Sequence, residues 1–319
     1  MQHKPKPKPK PKTKKSRKPR NTTLKKHNSR IQHGGEIFLI SSETQRPVPN
    51  RRYPIVLAET YDDGSLFSIY IGTAKADYLV PQTCNRESCA PQYRLDGKGI
   101  LIVFGPIASN NVQRFTCYEG NFKNHVKSGK GKITYYETTG EQIQTRITID
   151  ELERMTNEEI AQLIDELREK TITTTIYDGN WENDMMNGKG TIWCKNDFVY
   201  VGDWQNNNMH GKGKILLTNQ NNFYAGDFEN NKMEGIGKME YNDKNRYLGQ
   251  WHNNLRHGIG KMIFSTGYAR SYTGGWHNNM MDGFGVIAYR DGRRFEVLMQ
   301  NDNALSQPVP TNKSISVAI

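Results

Sequence analysis

The chain has 319 residues, 35% of them hydrophobic, and a mean hydropathy of −0.81. That ratio is too lean for a thick two-layer core, and 29 glycines with 16 tyrosines favour short strands and tight turns over helices. The net charge of +11 is uneven: residues 1–30 carry ten Lys, three Arg and no acid, so +13 sits there and the remainder stands at −2. An anionic partner is therefore to be sought first through the tail. No apolar run approaches the ~20 residues that a membrane-crossing helix needs. The charged, proline-rich start lacks the apolar segment of a secretory signal. The four cysteines, Cys84, Cys89, Cys117 and Cys194, are too few for a disulfide scaffold, and the reading is reduced thiols in a cytosolic or nuclear compartment.

Residues 1–32 are expected to be a disordered polybasic tail. Lys4, Lys6, Lys8, Lys10 and Lys12 alternate with prolines, and Lys14, Lys15, Arg17, Lys18 and Arg20 continue the charge. Fixed-φ prolines between charges favour an extended polyproline conformation and cannot build a core. Three readings stand side by side. The tail is a solvated solubility segment; or it binds anionic membrane lipid, at ~1 kcal/mol per basic residue near the surface; or it meets nucleic acid or a nuclear import receptor. It holds no aromatic residue and so no platform for base stacking. Residues 33–59 are expected to supply an N-terminal strand or cap region.

From residue 60 to 298 the sequence repeats. Six tyrosines, Tyr118, Tyr177, Tyr200, Tyr224, Tyr247 and Tyr272, set the frame. Two residues after each stands a glycine: Gly120, Gly179, Gly202, Gly226, Gly249, Gly274. Four after each stands an aromatic: Phe122, Trp181, Trp204, Phe228, Trp251, Trp276. A second pair of glycines follows at eleven and thirteen, as in Gly211 and Gly213, and apolar positions follow at fifteen and seventeen. The step of two within each half marks one face of a β-strand. Each unit thus reads as strand, turn, strand, with residues 206–210 as the loop of one of them. A lone hairpin is marginal, so the units must stack into a quasi-one-dimensional array. The tyrosine, tryptophan and glycine columns are read as chiefly structural, with a ring-lined groove for a partner peptide as the sharper alternative.

The pattern Tyr200-Val-Gly-Asp-Trp204 through His210-Gly-Lys-Gly213 resembles the MORN (membrane occupation and recognition nexus) repeat family. The resemblance implies an all-β fold: an elongated, twisted, single-layer antiparallel sheet of tandem hairpins. It also implies scaffolding, or attachment to membranes or cytoskeleton, as in junctional membrane proteins and ciliary radial-spoke heads. Some relatives carry lipid-kinase or methyltransferase domains, for which the 24 residues after Phe295 leave no room.

Departures from the frame are also informative. Tyr70 and Gly72 begin an earlier unit whose glycine pair, Gly97 and Gly99, is delayed by an insertion near 75–92. Cys84 and Cys89 within it offer two of the four ligands that a closed zinc site needs, so no metal is expected. A larger insertion, 137–175, carries two capping-box patterns (Thr148 with Glu151, Thr156 with Glu159) and an apolar stripe at Ile160, Leu163, Ile164 and Leu167. It predicts a helix over 148–170 with eight acids and three bases. That helix either covers the sheet or its edge, docks a partner, or serves as an acidic mate for the tail. Phe295 opens a terminal half-repeat in which Val297 replaces the glycine, and 299–319 is set apart as a C-terminal tail.

No catalytic constellation emerges. His210, His252, His257 and His277 fall at repeat positions, and a functional site needs convergent geometry. The reading is a non-enzymatic scaffold without cofactor that presents a sheet to protein partners. The alternatives are an anionic phospholipid-binding module and a nuclear or nucleic-acid-associated protein. Exposed terminal strands make an edge-to-edge homodimer a further expectation.

Overall fold

The computed structural model describes residues 37–40, 52–60, 66–77, 92–107, 112–138, five helical positions between 159 and 169, 171–313, and residues 315 and 317. The polybasic tail, Cys84, Cys89, Thr148, Glu151 and Thr156 lie outside them.

The fold is one open antiparallel sheet whose strands follow chain order. They are β1 (Ile37–Ile40), β2 (Arg52–Thr60), β3 (Leu66–Asp77), β4 (Gln92–Ile107), β5 (Gln113–Lys123), β6 (Val126–Thr138), β7 (Thr171–Glu182), β8 (Met185–Cys194) and β9 (Phe198–Gln205). There follow β10 (Asn208–Leu217), β11 (Asn222–Glu229), β12 (Lys232–Glu240), β13 (Arg246–His252), β14 (Leu255–Ile263), β15 (Ala269–His277), β16 (Met280–Tyr289) and β17 (Arg294–Gln300). Each strand from β2 to β16 pairs with the strands before and after it in the chain. Part of the segment set apart as a C-terminal tail returns to the last strand: β18 (Asn303–Ala304) and β19 (Val309–Pro310) both pair with β17, covering its outer edge. Lys313 and Thr311 hold the carboxylate of Glu296 there, which keeps that group below the ordinary carboxylate range.

The loop expected over 206–210 shrinks to two residues, Asn206-Asn207, because β10 already begins at Asn208. All seven such turns, from Asn124-His125 to Asn301-Asp302, hold two consecutive residues at positive φ. This is the twist-matched two-residue hairpin turn, and asparagine tolerates it better than most residues.

Registry explains the glycine columns. Gly72, Gly99, Gly120, Gly131, Gly179, Gly190 and Gly202 stand side by side on β3 to β9. The row continues through Gly213, Gly226, Gly237, Gly249, Gly260, Gly274 and Gly285 on β10 to β16, and ends against Val297. Each tyrosine ring lies across two members of this row. A Cβ added at Gly202 or Gly213 would meet the Tyr200 ring at 2.3 or 2.4 Å. The earlier glycine of each second pair serves the turn instead. Gly211, Gly235 and Gly258 adopt φ of 58–62° where the hairpin register slips, a bulge position that glycine occupies without strain.

The inserted segment is helical at Glu159, Gln162, Asp165, Glu166 and Glu169, all exposed. At 100° per residue these share one arc; the stripe expected at Ile160, Leu163, Ile164 and Leu167 lies outside the described residues. On the sheet face away from the tyrosines, Ile69, Ile102, Phe104, Phe115, Cys117 and Tyr136 are buried across β3 to β6. Phe115 and Tyr136 stack there with centroids 4.8 Å apart.

Candidate interaction surface

One face of the sheet is consumed by its own packing. Tyr70, Tyr118, Tyr177, Tyr200, Tyr224, Tyr247 and Tyr272 are at most 2% exposed. Each hydroxyl donates to the carbonyl three residues on, at 2.8–3.1 Å. Such a bond is what a buried phenol requires. The rings meet edge to face in one unbroken series: Tyr70, Phe122, Tyr118, Trp181, Tyr177, Trp204, Tyr200, Phe228, Tyr224, Trp251, Tyr247, Trp276, Tyr272. Centroids are 5.1–5.5 Å apart, so every Phe or Trp bridges the tyrosine of its own unit and that of the unit before. Four indole N–H groups also donate to carbonyls of the glycine row, those of Gly131, Gly190, Gly237 and Gly260. These columns carry the fold, as their chiefly structural reading has it; among the described residues the rings are closed against one another and leave no room for the alternative, a ring-lined groove.

Burial pushes the Tyr70 and Tyr272 hydroxyls up to about 12, and those of Tyr118, Tyr177, Tyr200, Tyr224 and Tyr247 higher still. A group with a raised folded pKa stabilises fully below its unfolded pKa, about 10 for tyrosine. That stability is lost as pH rises through 10 towards the folded values. Resistance to urea should therefore fall steeply above pH 10. Tyrosinate absorbance from these seven rings should appear together with unfolding, and gradual ionisation of the folded chain would contradict it.

A second set of inter-unit contacts lies at the two-residue turns. Asn207, Asn231, Asn254 and Asn279 each donate a backbone N–H to a carbonyl of the preceding unit, at 3.0 Å. The side-chain oxygen of each accepts the N–H of that same residue, from Met186, Met209, Met233 and Arg256 in turn, at 2.7–2.9 Å. Asp184 and Asp302 do likewise to Lys127 and Met281. The residues so gripped form a further column: Arg256 lies 4.6 Å over the Trp276 ring, and Lys127 5.6 Å over Trp181. The preceding column of asparagines, Asn124, Asn183, Asn206, Asn230, Asn253 and Asn278, is invariant across the six units. That column supplies the first residue of each turn; the clasping column beside it holds Asp or Asn in five of the six units, with His125 the exception, and this run of short side-chain acceptors was the signal available in the sequence.

Beyond β6 the opposite face carries mostly half-buried and exposed side chains, with Ser271, Thr273 and Val286 buried on β15 and β16. Its side chains form rows that cross the strands. One row holds the residue between the paired glycines: Lys98, Lys130, Lys189, Lys212, then Ile236, Ile259 and Phe284. Lys98 and Lys130 stand opposite Asn121 and Asn180, whereas Lys189 and Lys212 pair with Asp203 and Asp227. Around β3 to β7 this face forms a concavity of about 540 Å³, lined by Ile71, Ile100, Lys98, Lys130, Lys132 and Glu119 among others. The histidines lie on the same face near the turns. The His257 ring is 5.6 Å from His252 and 5.0 Å from His277, and His252 bonds Glu234 at 2.8 Å. No cluster of three or more metal-ligating side chains occurs among the described residues, and none of their helices is long and apolar enough to cross a membrane.

An open sheet of stacked hairpins, joined by a ring series on one face and turn clasps along one side, defines a tandem-repeat protein. The model of the MORN repeat matches residues 118–137, 177–197, 200–221, 224–246, 247–267 and 272–293, and the chain belongs to the MORN repeat family. The ring series extends one unit upstream of these matches, to Tyr70. No curated protein matches the chain significantly.

Proposed function

We propose that the chain is a non-enzymatic scaffold that presents the face opposite its tyrosines to protein partners, in the cytoplasm at a membrane or cytoskeletal structure. The observation that carries this reading is the division of labour between the two faces. The ring face is taken up by inter-unit packing, while the other leaves Lys214, Lys238, Ile259 and Phe284 exposed and Lys261 half-buried at repeat spacing. MORN repeats are associated in general with protein and membrane interaction.

A second reading, an anionic phospholipid-binding module, is favoured by the lysines of this face together with the +13 of residues 1–30. Nuclear or nucleic-acid association rests on the tail alone. Proximity labelling in the native cell, with the full chain and with residues 1–32 deleted, tests the scaffold reading. It predicts a defined set of membrane- or cytoskeleton-associated proteins that survives the deletion. An exclusively nuclear set, or no enrichment, would contradict it. Flotation on phosphatidylserine vesicles at two salt concentrations tests the lipid reading, which fails if the full chain does not float at low salt.

A further inference from the structure

Two parallel stripes occupy the free face over β12 to β16. One is apolar: Ile236 on β12, Ile259 on β14 and Phe284 on β16, in line with Leu298 on β17. Ile259 is 44% exposed and Phe284 77%, apolar area that a partner would remove from water. Between Ile259 and Phe284 on β15 stands Gly275, opposite Ile259 and without a side chain; between Ile236 and Ile259 on β13 stands Gln250, opposite Ile236, whose side-chain oxygen accepts the Ile259 N–H at 2.7 Å. The other stripe is basic: Lys238 and Lys261 lie two residues further along β12 and β14, and Lys214 precedes them on β10. Their cross-strand neighbours are Ala225, Leu248 and Thr273, so no acid compensates them from the strands alongside. In β4 to β11 the residue between the glycines is lysine, and Asp203 and Asp227 neutralise two of those four. The change from lysine to Ile, Ile and Phe therefore sets this end of the face apart.

Spacing selects the partner. Positions on alternate strands are two strand separations apart, about 10 Å. Residues seven apart on an α-helix rise about 10.5 Å. A helix lying across the strands thus places side chains i, i+7 and i+14 over Ile236, Ile259 and Phe284. Acids on its adjoining flank then reach Lys238 and Lys261. We infer that this double stripe is the docking site for an acidic amphipathic α-helix of a partner protein. The described end of the chain's own inserted helix, Glu169, lies two residues before Thr171, the first residue of β7, five strands from β12, so the occupant is assigned to another chain. The inference rests on the scaffold reading and gives it a surface and a partner chemistry.

The test uses the full chain and a labelled 18-residue helical peptide with leucines along one face at i, i+7 and i+14 and glutamates flanking them, read by fluorescence anisotropy. A twin peptide carries lysine for glutamate. The glutamate peptide should bind at least tenfold more tightly than its twin. Lys238→Glu with Lys261→Glu should reverse that preference, and Ile259→Ser with Phe284→Ser should weaken both peptides about tenfold. Lys238, Ile259 and Phe284 are exposed and Lys261 is half-buried, so thermal melts of the variants are recorded alongside, and those that melt as the parent does carry the test. Equal binding of the two peptides, or binding untouched by the variants, would overturn the inference. So would loss of flotation on anionic vesicles in the serine variant with peptide binding intact, which would assign the stripe to lipid. Partner labelling that persists in cells while the peptide fails would leave the scaffold reading standing and remove only this assignment.

Discussion

Gly237→Ala destabilises the sheet by about 3 kcal/mol, near the upper end of what overpacking a close contact causes. The added Cβ would sit 2.2 Å from the Tyr224 hydroxyl and 2.3 Å from its Cε2, with the ring already 0% exposed and unable to move aside. The ring is fixed from three sides: by its hydroxyl bond to the Asp227 carbonyl and by edge contacts to Phe228 and Trp251. Urea denaturation of the variant measures the loss. The cause is separable by a double variant. Tyr224→Ala alone costs about 3–5 kcal/mol as a deleted core aromatic, but it removes the obstacle, so adding Gly237→Ala to it should cost little more. Full additivity would mean that the glycine serves something other than the ring.

Asn231 supports a graded series. In Asn231→Asp the acceptor oxygen remains, as it does naturally in Asp184 and Asp302, and stability should change by less than about 0.5 kcal/mol. Asn231→Gly keeps the positive φ of 68° but strips the Met209 N–H of its partner, at about 1–2 kcal/mol. Asn231→Ala adds the strain of a left-handed alanine, a further ~1–2 kcal/mol. Thermal melts of the three variants should rank in that order. If Gly and Asp behaved alike, the clasp would contribute nothing and the turn would ask only for backbone freedom.

Much of this is legible in the sequence alone. Alternation by two, with a ring and a glycine at fixed offsets, names a strand face and implies that neighbouring units align; registry from Gly72 to Gly285 follows directly. Tyr70 could be placed because its glycine followed at the same offset. Other features escaped for physical reasons. The two glycines of Gly-Lys-Gly look alike in sequence, but one answers a ring and the other a positive φ, and only the hairpin register separates them. The clasp was hidden because polar residues between strands read as loop, and its own column varies between His125, Asp184 and asparagine; the six identical asparagines beside it mark the turn. The buried patch of Ile69, Ile102, Phe104, Phe115 and Tyr136 lies off the repeat frame altogether. The candidate surface was the least legible. Its residues, from Lys98 to Phe284, occupy one column whose chemistry changes along the chain, and the unchanging columns draw attention to the packed face instead.

The claim beneath the whole account is that units are joined only to their neighbours, through rings over bare glycine. Amide hydrogen exchange of Gly237→Ala, compared strand by strand with the parent chain, addresses this directly. Protection should fall most in β11 to β13, less in β9, β10, β14 and β15, and little at β4 and β17, as expected for a one-dimensional array. Uniform loss of protection from β3 to β17 would indicate a single cooperative globule and contradict the account.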